Sequence, residues 1–355
     1  MISFIMILFL LLVLATILLS SVAVFYTFFK KSQFVQTKPC VRAKLIRVEK
    51  DAELISKFRL NLDPRSKKAK AILHMINDKA YKVNCYNVEQ DKNLVVIMIV
   101  VGHNDKKMEY FGKLYHAPRG FPIIMNIETG HLDLKGFLPK FKNDEEDEIK
   151  TIGEDYDKAI LTVKASGYLG QMIAFLSSDE NTVYYVGFSK NSGSDTKFVD
   201  QINIFIDDVV KRHPGLPEHL VNHKMHLCFE VLAKWDPHGA YVAREGLVGT
   251  AAMYSQEIDD IDSETDKPTR LSKRVPIDEA NKLFKAIGVY VLGYWVAQTS
   301  EAVQKAFDVI SANRLTSSYS RIKRYLNNVR GVKFVPGNCE HSRLYLHACI
   351  PACSF

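Results

Sequence analysis

The chain has 355 residues, with 47 Lys and Arg against 40 Asp and Glu, a formal charge of +7, and six cysteines. Hydrophobic residues make up 47% and charged residues 25%, which excludes a disordered or collagen-like chain. Residues 1–29 contain no charged side chain, so the whole +7 falls on the remainder and a simple soluble protein is excluded.

The segment from Ile2 to Phe29 is rich in Leu, Ile, Val and Phe and ends at Lys30-Lys31. About 20 apolar residues span a bilayer, so this stretch suffices even when tilted. A cleaved signal peptide usually has a basic start and a shorter apolar core, and neither is present. The segment therefore reads as an uncleaved transmembrane anchor. Cleavage near Ser20, Ser21 and Ala23, or burial of the helix in the body, are the alternatives. Basic residues follow the segment (Lys38, Arg42, Lys44, Arg47) and none precedes it, which by the positive-inside bias places the body in the cytosol. Signal cleavage would instead make it secreted or lumenal. Cys40, Cys85, Cys228, Cys339, Cys349 and Cys353 form no CxxC pair, which mildly favours a reducing compartment. The tail cluster Cys339, His341, His347, Cys349 and Cys353 has ligand types suited to zinc but no zinc spacing, and reads as incidental.

Past the linker, Pro64 to Tyr81 predicts a basic helix with Ala69, Ile72, Leu73, Ile76 and Ala80 on one face. The eight-residue apolar run from Leu94 to Val101 is too short to cross a bilayer as a helix and reads as a buried strand. Phe121 to Ile127, the turn Glu128-Thr129-Gly130, and His131 to Phe137 read as a hairpin. Asp144 to Glu148 reads as a solvated acidic run. Strands are expected at Ile160–Lys164, Gly170–Leu176, Thr182–Phe188, His226–Leu232 and Gly246–Met253. An amphipathic helix is expected from Thr196 to Arg212, a polar loop from Ser255 to Arg274, and helical segments near Asp278–Ile287 and Glu301–Asn328. No internal repeat is present, and the mixture predicts an α+β fold with antiparallel sheet.

One stretch draws attention as chemistry: Leu161-Thr162-Val163-Lys164-Ala165-Ser166-Gly167-Tyr168. It sets a lysine after an apolar strand and before a glycine turn and a second apolar strand. Burial or neighbouring cations can lower a lysine pKa and expose a neutral amine nucleophile. Alone the pattern is common. Its neighbours are Ala117-Pro118-Arg119-Gly120, Leu134-Lys135-Gly136-Phe137-Leu138-Pro139-Lys140-Phe141-Lys142-Asn143, Phe188-Ser189-Lys190-Asn191-Ser192-Gly193, Leu227-Cys228-Phe229-Glu230-Val231 and Asp236-Pro237-His238. In this order and spacing the set resembles the covalent nucleotidyltransferases, and more narrowly the adenylyltransferase domain of fungal-type tRNA ligases and the related phage-type RNA ligases. The resemblance covers roughly residues 90–335.

The resemblance implies an ATP-dependent RNA ligase that uses ATP and Mg²⁺. Lys164 matches the lysine that attacks the α-phosphorus of ATP to form a lysyl-AMP intermediate. Arg119 and Lys140 match basic positions that contact ATP phosphates. Lys190 matches the segment that binds ribose and the RNA strand, and Glu230 the acidic residue that contacts ribose or helps to hold the metal. Asp236 and His238 match a turn read mainly as structural. The implied layout is a transmembrane anchor at 1–29, a basic linker at 30–44, an antiparallel-sheet nucleotidyltransferase (ATP-grasp-like ligase) domain at 45–338 and an irregular tail at 339–355. The implied partners are RNA and, through residues 2–29, a membrane.

The departures from the family lie late in the chain. Glu245-Gly246-Leu247-Val248 resembles the family's metal-binding strand by letters but falls too soon after Glu230, so it reads as the strand after the Asp-Pro-His turn. The better-placed Val329-Arg330-Gly331-Val332-Lys333 has arginine where the family has glutamate, and arginine cannot ligate a metal. No Lys-x-Lys strand follows, and Lys142 replaces an aromatic. These departures leave open a diverged, membrane-anchored RNA- or nucleotide-binding protein that does not seal ends. Other branches, DNA ligase or a GTP-using capping enzyme, also stay open.

Overall fold

The computed structural model describes residues 34–48, 52–77, 81–101, 115–116, 120–138, 159–162, 167–236, 245–257, 269–270, 273–313 and 319–338. In chain order the elements are β1 (Cys40–Arg42), β2 (Leu45–Val48), α1 (Ala52–Leu60), α2 (Lys67–Asn77), β3 (Tyr81–Val88), β4 (Asp91–Val101), β5 (Tyr115–His116), β6 (Gly120–Asn126) and β7 (Leu132–Leu134). There follow β8 (Ala159–Thr162), β9 (Tyr168–Leu176), β10 (Val183–Ser189), α3 (Lys197–Arg212), α4 (Leu216–Asn222), β11 (Met225–Leu232), β12 (Gly246–Tyr254), β13 (Gln256–Glu257), β14 (Thr269–Arg270) and β15 (Lys273–Arg274). The last are α5 (Ile277–Ala286), β16 (Tyr290–Val291), β17 (Tyr294–Ala297), α6 (Ser300–Asn313), α7 (Tyr319–Asn327) and β18 (Val332–Val335).

Two large sheets face each other. The central sheet runs β1-β10-β9-β11-β12-β15 with β16 beside β12, and the second runs β13-β7-β6-β4-β3-β2. Ladders are antiparallel except β1–β10, β12–β16 and the small β5–β14 pair. The expected α+β class with antiparallel sheet is therefore the observed architecture.

Side chains alternate across a strand, and the alternation builds the layers. In β4, Val95, Ile97 and Ile99 join the core under α1 and α2, while Leu94, Val96, Met98 and Val100 join the core shared with Ile173, Phe175, Val186 and Phe188 of the central sheet. Burial on both faces is why this strand reads as an unbroken apolar run rather than an alternating one. The far face of the central sheet carries Met172, Leu227, Phe229 and Val231 against Ile202, Ile206, Leu216 and Phe284 of α3, α4 and α5. The order is thus helices, sheet, sheet, helices.

The β6–β7 hairpin forms as expected, with Gly130 at φ 74° where the turn requires a left-handed residue. Thr196 caps α3 by accepting from the Val199 N–H. The final helical stretch expected as Glu301–Asn328 contains two helices, α6 and α7, and the expected polar loop after Ser255 contains β13, β14 and β15.

The stretch expected to be a basic linker, 30–44, is corrected from residue 34 onward. Phe34 lies in the core against α4, Glu218 accepts bonds from the Thr37 hydroxyl and from the Thr37 and Lys38 N–H groups, and β1 pairs with β10. Burying an aromatic ring and adding a strand to the sheet fixes the segment as body. Among the described residues no helix is long and apolar enough to cross a membrane. The expected anchor, Lys140, the acidic run at 144–148 and the 339–355 tail lie outside them.

Candidate functional site

Three of the motif segments converge at one end of the middle strands of the central sheet. β9 begins there, and β10 and β11 end there: Ser189 pairs with Gly170, Phe229 with Gly170, and Glu230 with Leu169. At about 4.8 Å between strands, the ends carrying Lys190 and Glu230 stand roughly 10 Å apart, with the Gly167 turn entering between them. Lys164 and Arg119 lie outside the described residues, as do Pro237 and His238.

Gly167 explains its own identity. A Cβ added there would meet the Val231 carbonyl oxygen at 2.3 Å, far inside van der Waals contact. The backbone must therefore approach β11 bare. In return the Gly167 N–H donates to the Glu230 Oε1 at 2.9 Å. Glu230 is buried, at 6% exposure, on the strand face shared with His226 and Cys228, opposite the face turned to α3 and α4. A charge-assisted bond to a backbone N–H is the ordinary way to keep a buried carboxylate acceptable.

The strands on either side of Lys164 do not form a hairpin with one another. β8 pairs with β17, which pairs with β18, making a separate three-stranded sheet packed on α6 and α7. Thr162 and Tyr168 therefore belong to different sheets. The late segment with Arg330 ends in β18, which is joined through β17 to the strand preceding Lys164. Glu245 accepts from the Lys234 N–H at 2.8 Å and leads into β12, so it closes the β11–β12 connection as expected of a strand after the Asp-Pro-His turn. Asp236 is buried, and its N–H donates to the Ala233 carbonyl in that turn.

Lys190 follows β10 in a loop stapled by its serines. Ser189 N–H donates to the Ser192 carbonyl at 2.9 Å, Ser192 N–H to the Ser189 hydroxyl at 3.1 Å, and Gly193 N–H to the Tyr86 hydroxyl at 3.1 Å. A Cβ on Gly120 would come within 2.8 Å of the Lys190 carbonyl. The glycine of the Arg119-Gly120 pair thus lets the two basic segments touch. Beside Gly167, Tyr168 stacks edge-on with Phe198 at 4.8 Å, and Phe198 with Trp235 at 5.1 Å, while Lys197 lies over the Trp235 ring at 4.1 Å. Burial, and then the nearby Asp236 charge, push the Tyr168 phenol above its ordinary range.

Behind Glu230 lies a polar layer to which motif reading gave no role. Lys135, 2% exposed, bonds Asp133 at 2.6 Å and the Ser255 hydroxyl at 2.7 Å. His226 Nε2 donates to the Gly136 carbonyl at 2.8 Å, and Gln171 Nε2 to the Lys135 carbonyl at 3.2 Å. Burial, and then the Lys135 charge, hold the imidazole near pKa 3, so it is neutral. Together these groups pin residues 135–138 against the sheet, just before the segment with Lys140. The parity of β11 was the available signal, because His226, Cys228 and Glu230 share one face.

No family model matches the chain, and no curated protein matches it. Among solved structures it is similar to an archaeal ATP-dependent RNA ligase of form 1, at 12% identity and a TM-score of 0.44, covering 82% of this chain and 63% of that one. A second similarity is to an archaeal ATP-dependent RNA ligase of form 2, at 11% identity and a TM-score of 0.39, covering 76% of this chain and 58% of that one. The chain spans less than two thirds of the length of either.

Among the described residues no group of three or more His, Cys, Asp and Glu comes together as a metal site. A magnesium ion that arrives with a nucleotide needs only one or two carboxylates beside the phosphates, so Glu230 alone is compatible with that mode of binding. Cys228 is an unsuitable nucleophile there, since burial pushes its thiol up to about 12.

Proposed function

We propose that the protein is an ATP-dependent RNA ligase acting through Lys164. The Lys164 amine attacks the α-phosphorus of ATP, an N–P bond forms, the bond to the β-phosphate bridging oxygen breaks, and pyrophosphate leaves. The AMP then passes to an RNA 5′-phosphate, regenerating the amine, and a 3′-hydroxyl displaces AMP as the ends join. Arg119, Lys140 and Lys190 would neutralise phosphate charge, and Mg²⁺ would supply further charge stabilisation. Glu230 holds the glycine end of the lysine turn and so sets where that turn sits.

What supports this reading most is the Gly167–Glu230 bond, because it joins the Lys-x-x-Gly turn to the Phe-Glu strand, two segments 63 residues apart that motif reading paired independently. The basic surplus suits a polyanionic strand. In the expected layout residues 2–29 anchor the body at a membrane. The test is incubation of the full chain in detergent with ATP, Mg²⁺ and RNA bearing 5′-phosphate and 3′-hydroxyl ends. Joined RNA with ATP, none with GTP, and less joining of DNA ends is the expected result. Equal joining with GTP, or none with any nucleotide, contradicts it.

A second reading is favoured by one observation. Arg330 precedes β18, where the resemblance calls for a metal-binding glutamate. A protein that takes AMP or binds RNA without sealing would form the lysyl adduct, or bind RNA, and leave ends unjoined.

A further inference from the structure

We infer that an RNA backbone lies along the rim of the three-stranded sheet formed by β18 and α7. The inference deepens the ligase reading, on which it rests for RNA as the partner, and it gives the Arg330 segment a role. Between Asp308 and Glu340 the sequence has six Lys and Arg and no acidic residue. Four of the six, Lys323, Arg324, Arg330 and Lys333, fall on α7, on β18 and on the turn between them. That framework is fixed in place. Leu326 is buried in one core with Leu161, Trp295 and Ile310, and the Trp295 Nε1 donates to the Asn327 Oδ1 at 2.9 Å. Gly331 turns the chain at φ 85°, where a Cβ would come within 3.0 Å of Ala302.

Arg324, Arg330 and Lys333 are exposed and form no ion pair among the described residues. The acids nearby are engaged: Glu301, close enough to feel the Arg330 charge, bonds Lys305, Asp308 accepts from the Gln304 amide, and Asp278 accepts from the Tyr294 hydroxyl. Phe334 packs toward α6 and α7 with Lys323 over its ring at 4.6 Å, so strand alternation turns Lys333 to the other face. Cations therefore flank β18 on both faces, and among the described residues no strand pairs with its outer side. Arg330 stands before the strand, and Lys285, whose Nζ donates to the Pro336 carbonyl at 3.2 Å, stands beyond it. The strand between them spans about 13 Å, a length that fits several consecutive phosphates rather than one nucleotide. A rim charged on both faces grips a flexible polyanion, whereas a flat bilayer meets only one face. The rim also lies close to the proposed chemistry. Val335 is in register with Tyr294 and Tyr294 with Thr162, about 10 Å across the sheet, and Thr162 is two residues before Lys164. RNA held at β18 is thus beside the strand that leads to the lysine.

The test uses the full chain in detergent and a fluorescein-labelled single-stranded RNA, with anisotropy read across a salt series. The triple substitution Arg324→Gln, Arg330→Gln, Lys333→Gln removes three exposed charges and no buried contact. It is expected to weaken binding about a hundredfold near 0.1 M salt and to lower the slope of log affinity against log salt by about 2, at an unchanged urea midpoint. The control triple Lys70→Gln, Lys82→Gln, Lys92→Gln, exposed on α2, β3 and β4, is expected to leave both nearly unchanged. Equal losses in the two triples assign the binding to the general basic surplus and overturn the inference. So does RNA affinity that the first triple leaves intact, or a first triple that loses binding to phosphatidylserine vesicles and not to RNA. Adenylylation of Lys164, followed in the same samples, separates the two proposals. Weakened RNA binding with no AMP on Lys164 in the unsubstituted chain keeps the RNA surface and removes the ligase reading. AMP on Lys164 with RNA binding indifferent to the first triple does the reverse.

Discussion

The Glu230 carboxylate accepts the backbone N–H of Gly167 at 2.9 Å, joining the end of β11 to the turn that precedes β9. Because the acceptor is a side chain and the donor is backbone, the two contributions of Glu230, its shape and its charge, can be separated by substitution. Glu230→Gln keeps an oxygen acceptor and should cost about 1 kcal/mol or less in urea unfolding, whereas Glu230→Ala should cost about 1–3 kcal/mol by stranding the donor. If the charge also serves the nucleotide, Glu230→Gln loses lysine adenylylation while keeping its stability.

Gly167→Ala places a methyl where the Val231 carbonyl already sits, at 2.3 Å. The backbone must shift, and overpacking of this kind costs about 1–3 kcal/mol. The expected outcome is a lower urea midpoint together with weaker adenylylation. A variant of unchanged midpoint would show that the turn is not held against β11.

His226 gives a pH signature. Its folded pKa near 3 lies below the ordinary 6.5, so the unfolded chain binds a proton that the folded chain refuses. The stability it contributes is full above about 6.5 and is lost as pH falls from there toward about 3. His226→Gln, which can still donate to the Gly136 carbonyl, should flatten unfolding free energy against pH across that window. An unchanged slope would assign the acid sensitivity to other groups.

Lys135→Met removes a buried ammonium that joins Asp133 to Ser255. Asp133 keeps partial access to water, so the loss is expected to be about 2–3 kcal/mol rather than the larger cost of a sealed pair. Chemical denaturation measures it.

The strands and the α3 helix were legible because their periodicity is strong: β4 as an apolar run, Lys197–Arg212 as a stripe through Ile202 and Ile206. Which strands pair was not legible, since pairing of β8 with β17 depends on contacts more than 130 residues away in sequence. That is why the two strands around Lys164 read as a local unit and prove to belong to different sheets. In the site, Gly167 and Glu230 were marked by residue type and order. Lys135 stood in the Leu134–Asn143 segment without a role, and Gln171 and His226 went unmarked, because a buried polar layer leaves only strand parity as its trace. Phe34 was missed for the opposite reason, as its basic surroundings read as linker while one aromatic ring fixes the segment to the core.

The central claim is that Lys164 carries AMP. Incubating the full chain with ATP and Mg²⁺, digesting it and mapping the adduct by mass spectrometry tests it most directly. The account predicts one AMP on the peptide containing Lys164, absent in Lys164→Arg, which keeps the charge but lacks the nucleophilic amine. An unmodified Lys164 under every divalent metal tried, or AMP carried on another residue, contradicts it.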